Sequence, residues 1–434
     1  METQKNKRST FSGKIGFVLS AAGASVGLGN IWRFPYLAAK YGGGIFLLIY
    51  ILLALTFGYT MIVAESALGR MTRKSPVGAF RSFAKGKKVG WLSFGGWINA
   101  IIPVLIVPYY SVIGGWVVKY LFEYIRGNGS KLAEDGYFSG FISNGGATEI
   151  CFVIFCMFTL VIIYAGVQNG IERVSKIMMP ILIVLSVIIA IYSVTRPGAI
   201  EGVKYFLVPN VKNFSWMTVV AAMGQMFYSL SIAMGILVTF GSYMRKDTSI
   251  EDSTRNVEIF DTAIAMMAGL MIIPAVFAFS GGDPDTLQAG PSLMFITIPK
   301  VFANMGFGTA VGILFFVLVL FAAVTSSIAL TESAVSTFED ELGWGRKKAT
   351  VLTGVIMIAL GTLSCLGYGP LDFVKIIGMQ FLDFFDFLTN SVMMPIAALM
   401  TSLLVSRVIG VDKIEEEIRH GESAFRRKKI FVIM

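Results

Sequence analysis

Charge is scarce in this chain: only 15% of its 434 residues are Asp, Glu, Lys or Arg. Histidine occurs once, at His420, and cysteine three times, at Cys151, Cys156 and Cys365. Each shortage excludes something. There is too little charge to cover the surface of a soluble domain of this length. A lone histidine outside the apolar segments rules out a histidine relay, and no Cys–His, Ser–His or metal-ligand cluster falls within them, so an enzyme is not expected. The cysteines lie in apolar segments with no pair in the loops, which reads as packing rather than a disulfide framework.

What the chain has in quantity is hydrocarbon. Apolar residues make up 55% of it, and mean hydropathy is +0.72. Runs of about 20 apolar residues, the length that crosses a bilayer core, recur near 12–38, 43–69, 90–125, 148–166, 172–195, 216–244, 257–280, 308–338, 349–367 and 372–408. The pattern predicts an all-α polytopic membrane protein. The net charge of +9 is placed as a topology signal, not as a nucleic-acid footprint. Lys5, Lys7 and Arg8 precede the first span; Arg70, Arg73, Lys74, Arg81, Lys85, Lys87 and Lys88 follow the second. Arg346, Lys347 and Lys348 follow the eighth, and Arg426, Arg427, Lys428 and Lys429 the tenth. All share one side if the N-terminus is cytoplasmic, as the positive-inside rule prefers. The expectation is a multi-pass protein of the cell inner (plasma) membrane, with the lipid bilayer as partner and no nucleic acid. The first apolar stretch runs on into "NIWRFPYLAAK" without a cleavage site, so a removed leader is not expected. "RRKKIFVIM" begins a further apolar stretch, so 409–434 reads as a cytoplasmic loop and the opening of an eleventh helix.

Two spans contain residues that weaken an apolar helix. The first is interrupted by "GASVGLGN" (23–30), the sixth by "FYSLSIAMG" (227–235), about 200 residues later. Small residues at such spacing also serve helix packing. Two breaks, each opening a block of five spans, instead suggest an inverted 5+5 repeat, about 12–195 and 216–408, within a single transmembrane domain. Open backbone at membrane depth survives only where protein or a polar cavity surrounds it. Freed carbonyls suit a hard monovalent cation such as Na⁺, and freed amides an anion.

The residues at and around these breaks resemble the neurotransmitter:sodium symporter family, and within it the bacterial amino-acid transporters. "GLGNIWRFP", "YGGG", "ESALGR", "TSSIA" and "FEDEL" occur in the family's order across essentially the whole chain. The resemblance implies a leucine-transporter-like fold with broken helices 1 and 6, and sodium-coupled import of an L-amino acid by alternating access. It implies a first sodium site from the Ser25 carbonyl, the Asn30 amide oxygen, Ser229 and Asp261, completed by the substrate carboxylate. A second would comprise the carbonyls of Gly23, Val26 and Ala322 with the hydroxyls of Thr325 and Ser326. Hydroxyls on apolar helices otherwise bond back to their own i−4 carbonyl.

Asp261 stands beside the position where animal relatives bind chloride, a site similar to Tyr50, Gln225 and Ser229 here. A fixed carboxylate would replace the anion, so chloride independence is expected; pairing of Asp261 with Arg255 is the plainer reading. Glu65 would brace the sixth helix by accepting backbone amides. The substrate carboxylate would meet the amides of Leu28 and Gly29 and the Tyr110 hydroxyl. Its ammonium would meet carbonyls of Ser25, Tyr228 and Ser229, with Ser231 close by. Ile106, Tyr110, Tyr228, Ser231, Met234, Ser326 and Leu330 would surround the side chain. With no charged residue among them, a neutral hydrophobic or aromatic amino acid is expected, and the Ala233 methyl, where relatives have glycine, trims the pocket.

Arg33 and Asp386 resemble the outer gating pair, with Asp383 as a rival acid and Tyr109 and Tyr228 as the aromatic lid. Arg8 and Asp340 resemble the inner gate, where Phe11 replaces a common Trp and loosens the latch. Gly170 and Pro180 match relatives that unwind the fifth helix, or mark a static kink. The alternatives are proton coupling through Asp261 or Glu65, and an amino-acid sensor or channel on the same fold.

Overall fold

The computed structural model describes residues 9–84, 90–281 and 291–434. The first crossing is split: α1 (Lys14–Ser25) and α2 (Gly29–Lys40) meet at a 52° bend. Four unbroken helices follow: α3 (Gly44–Thr72), α4 (Gly90–Ile125), α5 (Gly145–Tyr164) and α6 (Val167–Val194). A second split crossing comes next, α7 (Trp216–Ser229) and α8 (Ile236–Tyr243). Then come α9 (Ile250–Ser280), α10 (Gly308–Leu342), α11 (Arg346–Leu366) and α12 (Phe381–Ile409). The fold is therefore two blocks of five crossings, each opening on a broken helix.

Both breaks have local causes. α1 ends where Val26 turns extended, at φ −76° and ψ 91°. The chain resumes at Gly29 in wide turns and reaches regular helix at Phe34, with Pro35 in the first turn, where its missing N–H costs nothing. The second break is sharper. Ser231, Ala233 and Gly235 take left-handed conformations at φ 54°, 60° and 69°. Glycine does this freely, whereas Ser and Ala are strained by about 1–3 kcal/mol each. Two hydrogen bonds hold them: the Ser231 hydroxyl donates to the Ala24 carbonyl (3.1 Å), and the Ala233 amide to Glu65 Oε1 (2.8 Å).

Three expectations are refined. The tenth crossing starts at Phe381 rather than 372, because Ile377 and Gly378 form a left-handed turn closed by the Ile376–Met379 bridge. The fifth is wound throughout, with Pro180 inside α6 and wide turns over 167–172. Beyond α12, the helices Val411–Arg419 and Lys428–Ile433 pack on α3, and the link between them reaches Glu251 and Glu258 of α9 through Glu422, Arg426 and Arg427. There Arg70 pairs with Glu417 at 2.6 Å, and both are buried.

Candidate functional site

The two breaks face each other across one cavity. It is lined by Ser25, Leu28 and Gly29 from the first break and by Tyr228, Ser229, Ser231 and Met234 from the second. α4 adds Ile106 and Tyr110, and α10 adds Ser326 and Leu330. Every residue that the resemblance assigned to the substrate lies on this wall. So do Asn30, which the resemblance gave to sodium, and Ala24, Gly27 and Ile236, which the sequence reading did not assign. Ala24 was legible in principle, since it sits inside the first break and its carbonyl accepts from both Ser231 and Ser326. The Leu28 amide points to the Tyr110 hydroxyl at 3.2 Å, so a helix-start amide and a phenol share one spot on the wall. Ser25, Asn30, Ser229, Ser231 and Ser326 add further polar groups, the rest of the lining is largely apolar, and no lining residue is charged.

Two glycines keep the cavity open to the backbone. A methyl on Gly27 would stand 2.5 Å from Ser326 Oγ, and one on Gly29 2.5 Å from the Tyr228 ring. In either case the neighbouring side chain would have to shift. We expect Gly29→Ala to weaken substrate binding at least about fivefold, the order of an overpacking cost of about 1–3 kcal/mol. Equilibrium binding to the purified variant checks this, and an affinity within a factor of two of the parent would contradict it.

Beside the cavity, Asp261 is wholly buried on α9. The Tyr50 hydroxyl donates to Oδ2 at 2.6 Å, while the Ser229 hydroxyl and Asn30 Nδ2 donate to Oδ1 at 2.7 and 2.9 Å. Among the described residues, three donors and no cationic side chain contact it, an arrangement suited to an ionised carboxylate. Arg255 lies at the surface and makes no ion pair with Asp261. The Asn30 oxygen accepts from the Gly27 amide (3.2 Å), so its NH₂ end, not the oxygen, faces the acid. Gln225 donates to the Gly29 carbonyl at 3.0 Å.

A second group of oxygens lies between α1 and α10. Ser326 Oγ is 3.3 Å from the Gly23 carbonyl and 3.5 Å from that of Val26, while Thr325 Oγ1 is 3.2 Å from the Ala322 carbonyl. Thr325 also makes the plain i−4 bond to Phe321 at 3.0 Å. That bond uses its proton and leaves its lone pairs available. Gly23 allows the approach, since a methyl there would meet Thr325 Cβ at 3.2 Å.

Above the cavity, Arg33 lies over the Tyr228 ring at 5.1 Å, and Tyr109 donates to Asp386 at 3.2 Å. Among the described residues, Arg33 and Asp386 form no direct ion pair; the two tyrosines take up their polar ends instead. Asp383 is exposed and accepts from Tyr368, so it is Asp386 that meets Tyr109. At the opposite face, Asp340 accepts the Ser75 amide at 2.6 Å, and Arg8 lies outside the described residues. Phe11 is 1% exposed and packs edge-on against Phe17, Phe240 and Tyr243. The smaller ring is therefore enclosed at this face. The sequence reading also missed Glu332, buried on α10, which Tyr243 and Arg346 both contact. No local spacing joins those three.

Opposed helix breaks, a shared cavity and a buried acid beside it define a polytopic solute transporter of the inverted-repeat class. Comparison with known proteins specifies it further. The family model for the sodium:neurotransmitter symporter family matches residues 8–130 and 137–434. An uncharacterized sodium-dependent transporter, YhdH of Bacillus subtilis (strain 168), is 37% identical over 95% of this chain and 91% of its own length. Another uncharacterized sodium-dependent transporter, from Haemophilus influenzae, is 32% identical over 94% and 91%. Among solved structures, MhsT in complex with L-phenylalanine superposes with a TM-score of 0.88 at 36% identity, over 98% of this chain and 96% of that one. The chain belongs to the sodium:neurotransmitter symporter family: it is a sodium-dependent symporter with the leucine-transporter-like fold.

Proposed function

We propose that the protein imports a neutral hydrophobic or aromatic L-amino acid together with two sodium ions, independently of chloride. The observation that carries this reading is the convergence of both helix breaks on one uncharged, largely apolar cavity flanked by Asp261. The zwitterion's carboxylate lies at the Leu28 and Gly29 amides and the Tyr110 hydroxyl, which supply donors at a helix start. Its ammonium meets the break carbonyls of Ser25, Tyr228 and Ser229. The side chain packs among Ile106, Met234 and Leu330. The relative crystallised with L-phenylalanine supports a substrate of this class.

One sodium ion sits by Asp261 with Ser229, Asn30 and the Ser25 carbonyl. For Asn30 to ligate, its amide turns end for end, bringing the oxygen to the cation. The other sits among the oxygens of Gly23, Val26, Ala322, Thr325 and Ser326. Arg33, Asp386 and Tyr109 close the outer path; Arg8 and Asp340 close the inner one, on the cytoplasmic side with the N-terminus. Only the filled or empty protein interconverts. The energetics suffice: a charge crossing 100 mV gains about 2.3 kcal/mol, and a tenfold gradient adds about 1.4 kcal/mol. Two ions then supply roughly 7 kcal/mol, enough for about 10⁵-fold accumulation of a zwitterion.

A scintillation-proximity binding screen of the twenty amino acids, in sodium and in choline, tests the reading. The expected result is binding of large neutral amino acids in sodium alone. Preference for a charged amino acid, or equal binding in choline, would contradict it.

A further inference from the structure

We propose that the start of α11 forms a binding site for one anionic phospholipid, at the face that holds Phe11, Ser75 and Asp340. The groove is lined by Trp344, Lys347, Lys348, Val351, Leu352 and Val355. Its two ends differ in chemistry. Both lysines are exposed, and neither forms an ion pair with an acid among the described residues. Lys347 lies over the Tyr164 ring at 5.6 Å, at the end of α5. The neighbouring Arg346 is not available: it turns inward to Glu332 at 2.5 Å and lies 3.9 Å from Glu339. Away from the lysines the groove is hydrocarbon, with Val351 and Val355, one turn apart, 63% and 60% exposed.

Charge complementarity selects the occupant. Two cations at the water-facing end call for a phosphate, and a row of branched aliphatics below them calls for an acyl chain. Trp344, 40% exposed at the same level, has the amphipathic ring typical of the membrane–water boundary. A zwitterionic lipid satisfies the hydrocarbon but carries its own cation to the lysines. Free phosphate satisfies the lysines but leaves the valines uncovered. An anionic phospholipid satisfies both.

Native mass spectrometry of the full chain in detergent tests this, with phosphatidylglycerol and phosphatidylcholine of matched acyl chains as probes. The parent should retain phosphatidylglycerol preferentially. Each lysine near an anionic surface contributes about fivefold, so Lys347→Gln/Lys348→Gln should lose on the order of 25-fold in that retention. A control pair elsewhere on the same face, Lys74→Gln/Lys429→Gln, should keep it. Equal losses in both pairs would mean diffuse surface charge and overturn the site. So would unchanged lipid preference in the first pair, displacement of the lipid by millimolar inorganic phosphate, or dimers that form in place of lipid adducts. A melting temperature matching the parent excludes misfolding of the variants.

Discussion

Asp261→Asn should bind its amino acid only weakly in sodium without chloride, and should regain affinity as chloride is added. The parent should be indifferent to chloride. Coulomb attraction between a carboxylate and Na⁺ a few ångström away is worth about 4 kcal/mol at an effective dielectric near 20. Removing it corresponds to roughly a thousandfold loss in apparent sodium affinity. Asparagine keeps the size and one acceptor, so the Tyr50, Ser229 and Asn30 donors still face a polar side chain. What it lacks is charge, and chloride among the same donors restores that. Substrate binding titrated with sodium, in chloride and in gluconate, gives the answer. A variant that matches the parent in both salts would end the charge-replacement idea.

The second large effect concerns stability and lies far from the cavity. Arg70 on α3 is buried, with Nε 2.6 Å from Glu417 Oε1 and Nη1 2.6 Å from the Thr248 carbonyl. Lys246 also reaches Glu417, at 2.6 Å. Breaking such a pair from one side leaves a buried charge uncompensated, a cost of about 3–5 kcal/mol. Glu417→Ala should therefore lower the thermal unfolding midpoint in detergent by several degrees. Replacing both partners, as Arg70→Met/Glu417→Leu, should recover much of the loss, because no orphan charge remains. A single variant melting with the parent would show that the pair contributes nothing.

The contrast between these two sites indicates what a sequence can disclose. The first break was legible because Gly23, Gly27, Gly29 and Pro35 oppose an apolar helix by composition alone. Asp261 was conspicuous as an acid in hydrocarbon. Its three donors come from three other crossings, so only family resemblance linked them to it. The left-handed turns at Ser231 and Ala233 were not legible, since neither residue type favours that conformation; the contacts from Glu65 and Ala24 that hold them are long-range. The ends of Asn30 and the indirect link between Arg33 and Asp386 depend on side-chain rotamers, which spacing does not encode. Arg70 and Glu417 are 347 residues apart, and no periodicity joins them.

Cation coupling at the two breaks is what drives uptake in the proposed cycle. Uptake of the preferred amino acid into proteoliposomes, at fixed pH and without chloride, measures it directly. An inward sodium gradient should drive accumulation above equilibrium, and replacing external sodium with choline should abolish it. Accumulation driven equally well by a proton gradient in choline would contradict the account.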